Sequence, residues 1–295
     1  MWLCGTCDRE ARRGTDGCVS AHRSSIEANP LNFRTPSLSA ALVTTVILLG
    51  TGAAPGEPLL HVQGANLKWG RTELGTGALV TYAMVTGSYS VPSGQAILNS
   101  DNCNAMHGYA DIGKLSPDMT PGMVEPELRA AFAAWTAAAD ITFVKVDDVL
   151  HANIVIGAAD REHGRGFANL SYHDGPGAAP VARGQVAKGL DNANPEPSID
   201  PAQKPITRRD FGASTAITHA YICLNPGARW KVGFDGSLDI YDLRYTFMHE
   251  IGHAIGLDHP GSSGSIMAYR YDERVSDLQA SDIAAAQKLY GPARH

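Results

Sequence analysis

At 295 residues, 44% hydrophobic and 18% charged, the chain has the composition of a globular protein with one good-sized domain or two small ones. A net charge of -6 is mild and gives no reason to expect nucleic acid or an anionic membrane surface as a partner. The 31 glycines and 17 prolines predict many turns and long loops.

The first patterned stretch is a short apolar run over residues 38–50, LSAALVTTVILLG, with Arg34 before it and the small residues Thr51, Gly52, Ala53 and Ala54 after it. A run of about a dozen apolar residues is too short to span a bilayer comfortably but suits the core of a signal peptide. A buried helix or strand is the competing reading, and the polar, unpatterned flanks speak against it. Residues 1–54 are therefore expected to be a leader, with cleavage after Ala53 or Ala54, and residues 55–295 a single domain. The product is expected to be exported, to a periplasm or the medium, with no stable membrane anchor after cleavage. Cys4, Cys7, Cys18 and His22 have a spacing that could bind zinc, but discarded leader is the better reading of them. Cys103 and Cys223 are the cysteines that remain. An even count in an exported protein permits one disulfide, and two buried free thiols account for it equally well.

Residues 55–65 read as loop, and residues 78–86, ALVTYAMVT, as a strand. Residues 87–122 form a long irregular excursion rich in Gly, Ser, Asn, Asp and Pro. Residues 124–139 are the clearest helix: Pro126 fits a first turn, Glu125 and Glu127 suit its positive end, and Leu128, Phe132 and Trp135 recur at helical spacing. Strands are expected over 141–146 and 153–157, so that strand, helix and strand make a crossover in a mixed sheet. Residues 158–213 read as loops around one edge strand within 166–172. A strand over 217–224, a helix over 242–255 and a closing helix over 281–289 complete an α+β domain.

The chemistry is concentrated in residues 249–259, HEIGHAIGLDH. His249 and His253 are four apart, so one helical face presents both imidazoles to the same point. Gly256 ends the helix with backbone angles that glycine adopts freely, and the turn brings His259 round as a third ligand. Three neutral nitrogens leave a fourth tetrahedral position open, the mark of a catalytic rather than a structural zinc site. Glu250 follows the first ligand and is placed to act as general base on a water at that position. A chance H-E-x-x-H is common, but Gly256 and His259 add two further specified positions.

These residues resemble the metzincin signature H-E-x-x-H-x-x-G-x-x-H. Met267, within Ser265-Ile266-Met267-Ala268-Tyr269, is similar to the Met-turn beneath the metal in that group, where its sulfur makes a soft floor. Pro260 and Tyr269 resemble serralysins, in which the Tyr binds the metal and swings away as substrate enters. Leu278 to Ile283, Gln287 to Gly291, Leu67-Lys68-Trp69 and the helix around Trp135 are similar to segments shared by serralysins and matrixins, peptidase family M10. The resemblance implies a metzincin fold, with a twisted mixed β-sheet, an active-site helix and a C-terminal helix. It implies a zinc endopeptidase acting on protein or peptide substrates laid along the edge strand, with Glu250 and Tyr269 catalytic. Two rivals remain: a zinc-binding interaction module of the same fold that does not cut, and a zinc hydrolase of non-peptide amides.

Departures qualify the likeness. The calcium-binding repeats of serralysins are not found among these residues. His163-Gly164-Arg165 has Arg where matrixins carry the Asp of a structural zinc, so no second zinc is expected, although His173 and His219 could meet His163. Residues 174–177, DGPG, resemble a calcium-associated loop of matrixins, the basis for a Ca2+ expectation. The resemblance implies that Arg270 and Tyr271 border a specificity pocket, and a solvated Arg with a packed Tyr accounts for them equally well. Asp235, Asp239 and Asp242 read as a solvated loop before the helix, and His61, His107, His151 and His295 as surface or satisfied core histidines.

Overall fold

The computed structural model describes residues 58–62, 64–93, 102–160, 164–173 and 214–294, all within the unit Thr51–His295. The leader with its apolar run and cysteines, His163, loop 174–177 and His295 lie outside the described residues. The strands are β1 His61–Val62, β2 Ala65–Lys68, β3 Ala78–Met84, β4 Tyr89–Ser90, β5 Ala105–Met106, β6 Ile141–Lys145, β7 Ile154–Ala158, β8 Gly166–Tyr172, β9 Ser214–Leu224, β10 Trp230–Lys231 and β11 Tyr241–Asp242. The helices are α1 Pro121–Ala138, α2 Leu243–Ala254 and α3 Ala280–Tyr290.

The main sheet runs β1-β2-β9-β7-β3-β6, parallel from β2 through β6, with β8 antiparallel against β9. The eleven residues of β9 are what join it together: Ser214 to Ala216 pair with β2, and Ala220 to Leu224 pair with β7. Successive side chains in a strand point to opposite faces, and both faces here are covered. Val80, Tyr82, Ile154, Ile156, Ala220 and Ile222 point into the core under α1 and α2. Ala83, Val155, Tyr221 and Cys223 point the other way, into a second core closed by Val85, Tyr89, Cys103 and Met106. From the stretch 87–122, expected to be irregular, the described residues 87–93 and 102–107 supply that cover with the short β4/β5 pair, and a Cys103–Cys223 disulfide ties them to β9.

The helix expected over 124–139 begins at Pro121, so two expectations for its start are corrected. Thr120 precedes it and Pro121 takes the first position, where the missing N–H costs nothing; Pro126 lies inside the helix. Glu125 and Glu127 stand beyond the first turn. Glu125 pairs with Lys145 of β6, and Glu127 with Arg244 of α2 at 2.8 Å, joining the two helices. Asp242 caps α2 by accepting the Tyr245 amide at 2.8 Å, and Gln279 with Asp282 forms a capping box on α3. Residues 55–65, expected as loop, include β1, which folds back on β2.

Candidate metal centre

Helix α2 is buried along nearly its whole length between the sheet, α1 and the segment that follows it. It therefore presents His249 and His253 as rigid, desolvated groups. Gly256, with φ +97, lets the chain turn back at the helix end, and His259 swings in beside them. The Nε2 atoms of His253 and His259 lie 3.1 and 3.2 Å from that of His249. Donors about 2.0–2.1 Å from one tetrahedral ion stand about 3.3 Å from each other, so the spacing fits a shared ion.

The far side of each helical imidazole is equally defined. His249 Nδ1 donates to the Ile266 carbonyl at 2.7 Å, and His253 Nδ1 to the Leu257 carbonyl at 2.9 Å. Those bonds place the proton on Nδ1 and the lone pair on Nε2, the tautomer a metal requires. Burial pushes the His249 pKa down to about 3 and that of His253 to about 4, and burial with two neighbouring imidazoles lowers His259 as well. Three neutral imidazoles offer one cation their lone pairs. Among the described residues this is the one group of three or more His, Cys, Asp or Glu side chains close enough to hold an ion.

Glu250 is fully buried one residue after His249. Its carboxylate lies against the first residue of the edge strand: a Cβ on Gly166 would come within 2.7 Å of Glu250 Oε1 and 3.1 Å of the Thr246 methyl group. The strand can approach this closely because that residue has no side chain. Tyr269 stands beside His259, ring centroids 5.2 Å apart and nearly perpendicular.

Met267 is buried beneath the helix, and a Cβ on Gly252 would lie 2.2 Å from its sulfur. The turn that carries Met267 is held from α3. Buried Asp282 accepts the Ser265 hydroxyl at 2.6 Å and the Ile266 amide at 3.0 Å, and Ile266 is the residue whose carbonyl orients His249. Sequence reasoning missed Gly166, Gly252 and Asp282. The glycine inside a helix and the acidic residue of a capping box were the available signals.

The remaining candidates fall outside this centre. Tyr271 is buried, meets Tyr241 and Tyr245 edge to face, and accepts the Asp242 amide at 3.0 Å; Arg270 is exposed. Asp242 is spent on capping α2, and Asp235 on Lys231 and the Ser237 amide. His107 pairs with Asp111, and His151 with Asp148. His173 and His219 are part of no metal-holding group among the described residues.

Comparison with known proteins supplies an independent line. Residues 108–291, more than half of the chain, match the profile of the matrixin family. Metalloendoproteinase 1-MMP of Arabidopsis thaliana is 27% identical over 176 residues, 59% of this chain and 40% of that protein. Matrix metalloproteinase-20 of Homo sapiens is 26% identical over 184 residues, 61% of this chain and 30% of that protein. Matrix metalloproteinase-26 of Homo sapiens is 46% identical over 92 residues, 27% of this chain and 34% of that protein. The chain thus spans less than half the length of these relatives.

Proposed function

The chain belongs to the matrixin family, with the α+β metzincin fold, and from that premise we propose that it is an exported zinc endopeptidase. The observation that carries the proposal is the meeting of three neutral imidazole Nε2 atoms within 3.2 Å, with a buried carboxylate one residue from the first. His249, His253 and His259 would hold zinc. A bound zinc ion supplies Lewis acidity to the scissile carbonyl and to the attacking water.

The chain's own residues do the rest. Glu250 accepts the water's proton and returns it to the departing amine as the C–N bond breaks. Its burial keeps competing water away from the carboxylate, and the Gly166 backbone packed against it limits its rotamers. An extended substrate adds to β8, which among the described residues pairs with β9 alone, gaining main-chain hydrogen bonds on an axis that passes Glu250. Tyr269 would donate a hydrogen bond to the carbonyl oxygen as charge develops there, a role supported by its ring contact with His259. Met267 supports the imidazoles from below, with Gly252 giving its sulfur room.

Residues 1–54 act in this reading as a leader removed on export, and residues 55–295 as the catalytic domain. Calcium enters through loop 174–177, outside the described residues. The test is a quenched-peptide library offered to the exported protein. Cleavage that stops with a chelator, returns with zinc and is lost in Glu250→Gln while zinc stays bound supports the reading. Full zinc occupancy with no cleavage of any peptide favours the non-cutting module.

A further inference from the structure

The first two histidines ride on a helix, but the third does not. Past Gly256 no helical ladder holds the main chain, and residues 261–264 are exposed. The turn that delivers His259 also begins where helices leave their last carbonyls without partners. The Ile251, Gly252 and His253 carbonyls are taken locally by the amides of Ile255, Leu257 and Gly256, and those of Ala254, Ile255 and Gly256 are satisfied from distant segments. Trp69 Nε1 donates to the Ala254 carbonyl at 2.8 Å. The Tyr290 hydroxyl donates to the Ile255 carbonyl at 2.7 Å and accepts the Trp69 amide at 3.0 Å. The Leu60 amide donates to the Gly256 carbonyl at 2.8 Å, and the Asp258 amide donates to the Pro58 carbonyl at 2.9 Å, with Leu59 bridged antiparallel to Leu257. Directly below, the Leu67 carbonyl passes so close that a Cβ on Gly256 would lie 2.0 Å from it.

We propose that residues 58–62 and 64–69 are a positioning strap for the third metal ligand: they hold the Ala254–Asp258 turn so that His259 meets the other two imidazoles. The strap is itself stiffened. Leu59 and Leu60 are buried, and the buried Lys68 ammonium donates to the carbonyls of Trp69, Arg71 and Thr76. Cleavage after Ala53 or Ala54 leaves the strap on the mature chain, and a cut beyond Leu60 removes it. The inference rests on the reading of His259 as a ligand.

The test uses the full-length chain and measures zinc affinity by chelator competition, the absorption spectrum of the cobalt-substituted protein, and hydrogen exchange of the Asp258 amide. Leu60→Pro removes the donor to Gly256 and is expected to weaken zinc about tenfold or more, the scale for losing an outer-shell support. Its cobalt spectrum is expected to shift toward that of His259→Ala, with faster exchange at Asp258. Leu60→Ala keeps the amide and is expected to cost stability while weakening zinc far less than Leu60→Pro does. A folded Leu60→Pro with wild-type affinity and spectrum overturns the inference. Should that variant not fold, Trp69→Phe, which removes the indole donor to the Ala254 carbonyl, decides: a several-fold loss of zinc affinity supports the strap, and wild-type behaviour overturns it. His259→Ala, measured alongside, separates the two ideas. Unchanged zinc binding there defeats the ligand reading itself, whereas loss there with intact strap variants defeats only the strap.

Discussion

The two faces of the central sheet are covered by different means. On the inner face lie α1 and α2, whose backbones satisfy their own hydrogen bonds and whose side chains bury Trp135, Phe132 and Met248 almost completely. On the outer face lie the described residues 87–93 and 102–107, whose regular structure is the short β4/β5 pair and which are tied down by the Cys103–Cys223 cross-link. The contrast shows how a fold of this size divides its tasks. The face that must hold reacting groups to fractions of an ångström uses rigid, close-packed elements. The face that has only to exclude water uses loops and a covalent staple.

The largest expected effect breaks the staple. The paired change Cys103→Ser and Cys223→Ser opens a cross-link spanning 120 residues and is expected to cost about 2–4 kcal/mol in chemical denaturation. Zinc affinity should stay within twofold of wild type if the faces are independent. A fall in affinity would show coupling, with Phe167 the candidate route, since it lies in the second core beside Cys103 and next to Gly166.

Gly166→Ala tests the inner face where it touches Glu250. A methyl group there collides with the Glu250 carboxylate, and a shift of about 1 Å in a catalytic group costs on the order of a hundredfold in rate. Steady-state kinetics should show the loss in kcat, with zinc content and stability close to wild type. An unchanged kcat would mean that the carboxylate works from another position.

Gly252→Ala is expected to reverse the usual rule for helices. Alanine in a helix interior normally stabilises by roughly 1 kcal/mol over glycine. Here the added methyl meets the Met267 sulfur, and overpacking of that kind costs about 1–3 kcal/mol, so the melting temperature should fall. A rise would show that the sulfur has room to move.

The last effect is electrostatic and belongs to the metal-free protein. His249 and His253, held near 3 and 4 in the fold, return to the ordinary 6.5 when unfolded, so below that value the unfolded chain binds more protons. Stability of the chelator-treated protein is expected to be full above about pH 6.5 and to decline on acidification toward pH 4 and below. Zinc should suppress the decline until protons displace it. A flat profile of melting temperature against pH in the chelated protein would contradict the burial of these rings.

Much of the centre was legible because its geometry is local. Positions 249 and 253 share a helical face by spacing alone, and Gly256 announces the turn toward His259. The edge strand over 166–172 and the closing helix were equally readable, since alternation and 3.6-residue periodicity describe a few neighbouring residues at a time. The start of α1 was misplaced because Pro126 and its flanking glutamates mimic a first turn as well as Thr120-Pro121 does. Capping and helix propensity could not rank the two without knowing that Glu127 reaches Arg244 on another helix.

What the amino-acid order determined unaided was therefore the donor set: which imidazoles can meet, and which carboxylate follows them. Only the tertiary structure decided that Gly166 is bare because Glu250 lies against it, that Cys103 approaches Cys223, and that residues 58–60 grip the turn before His259. The reason is range. Periodicity and capping act over one or two turns of chain, whereas close approach between segments a hundred or more residues apart is set by how the whole sheet and its helices pack.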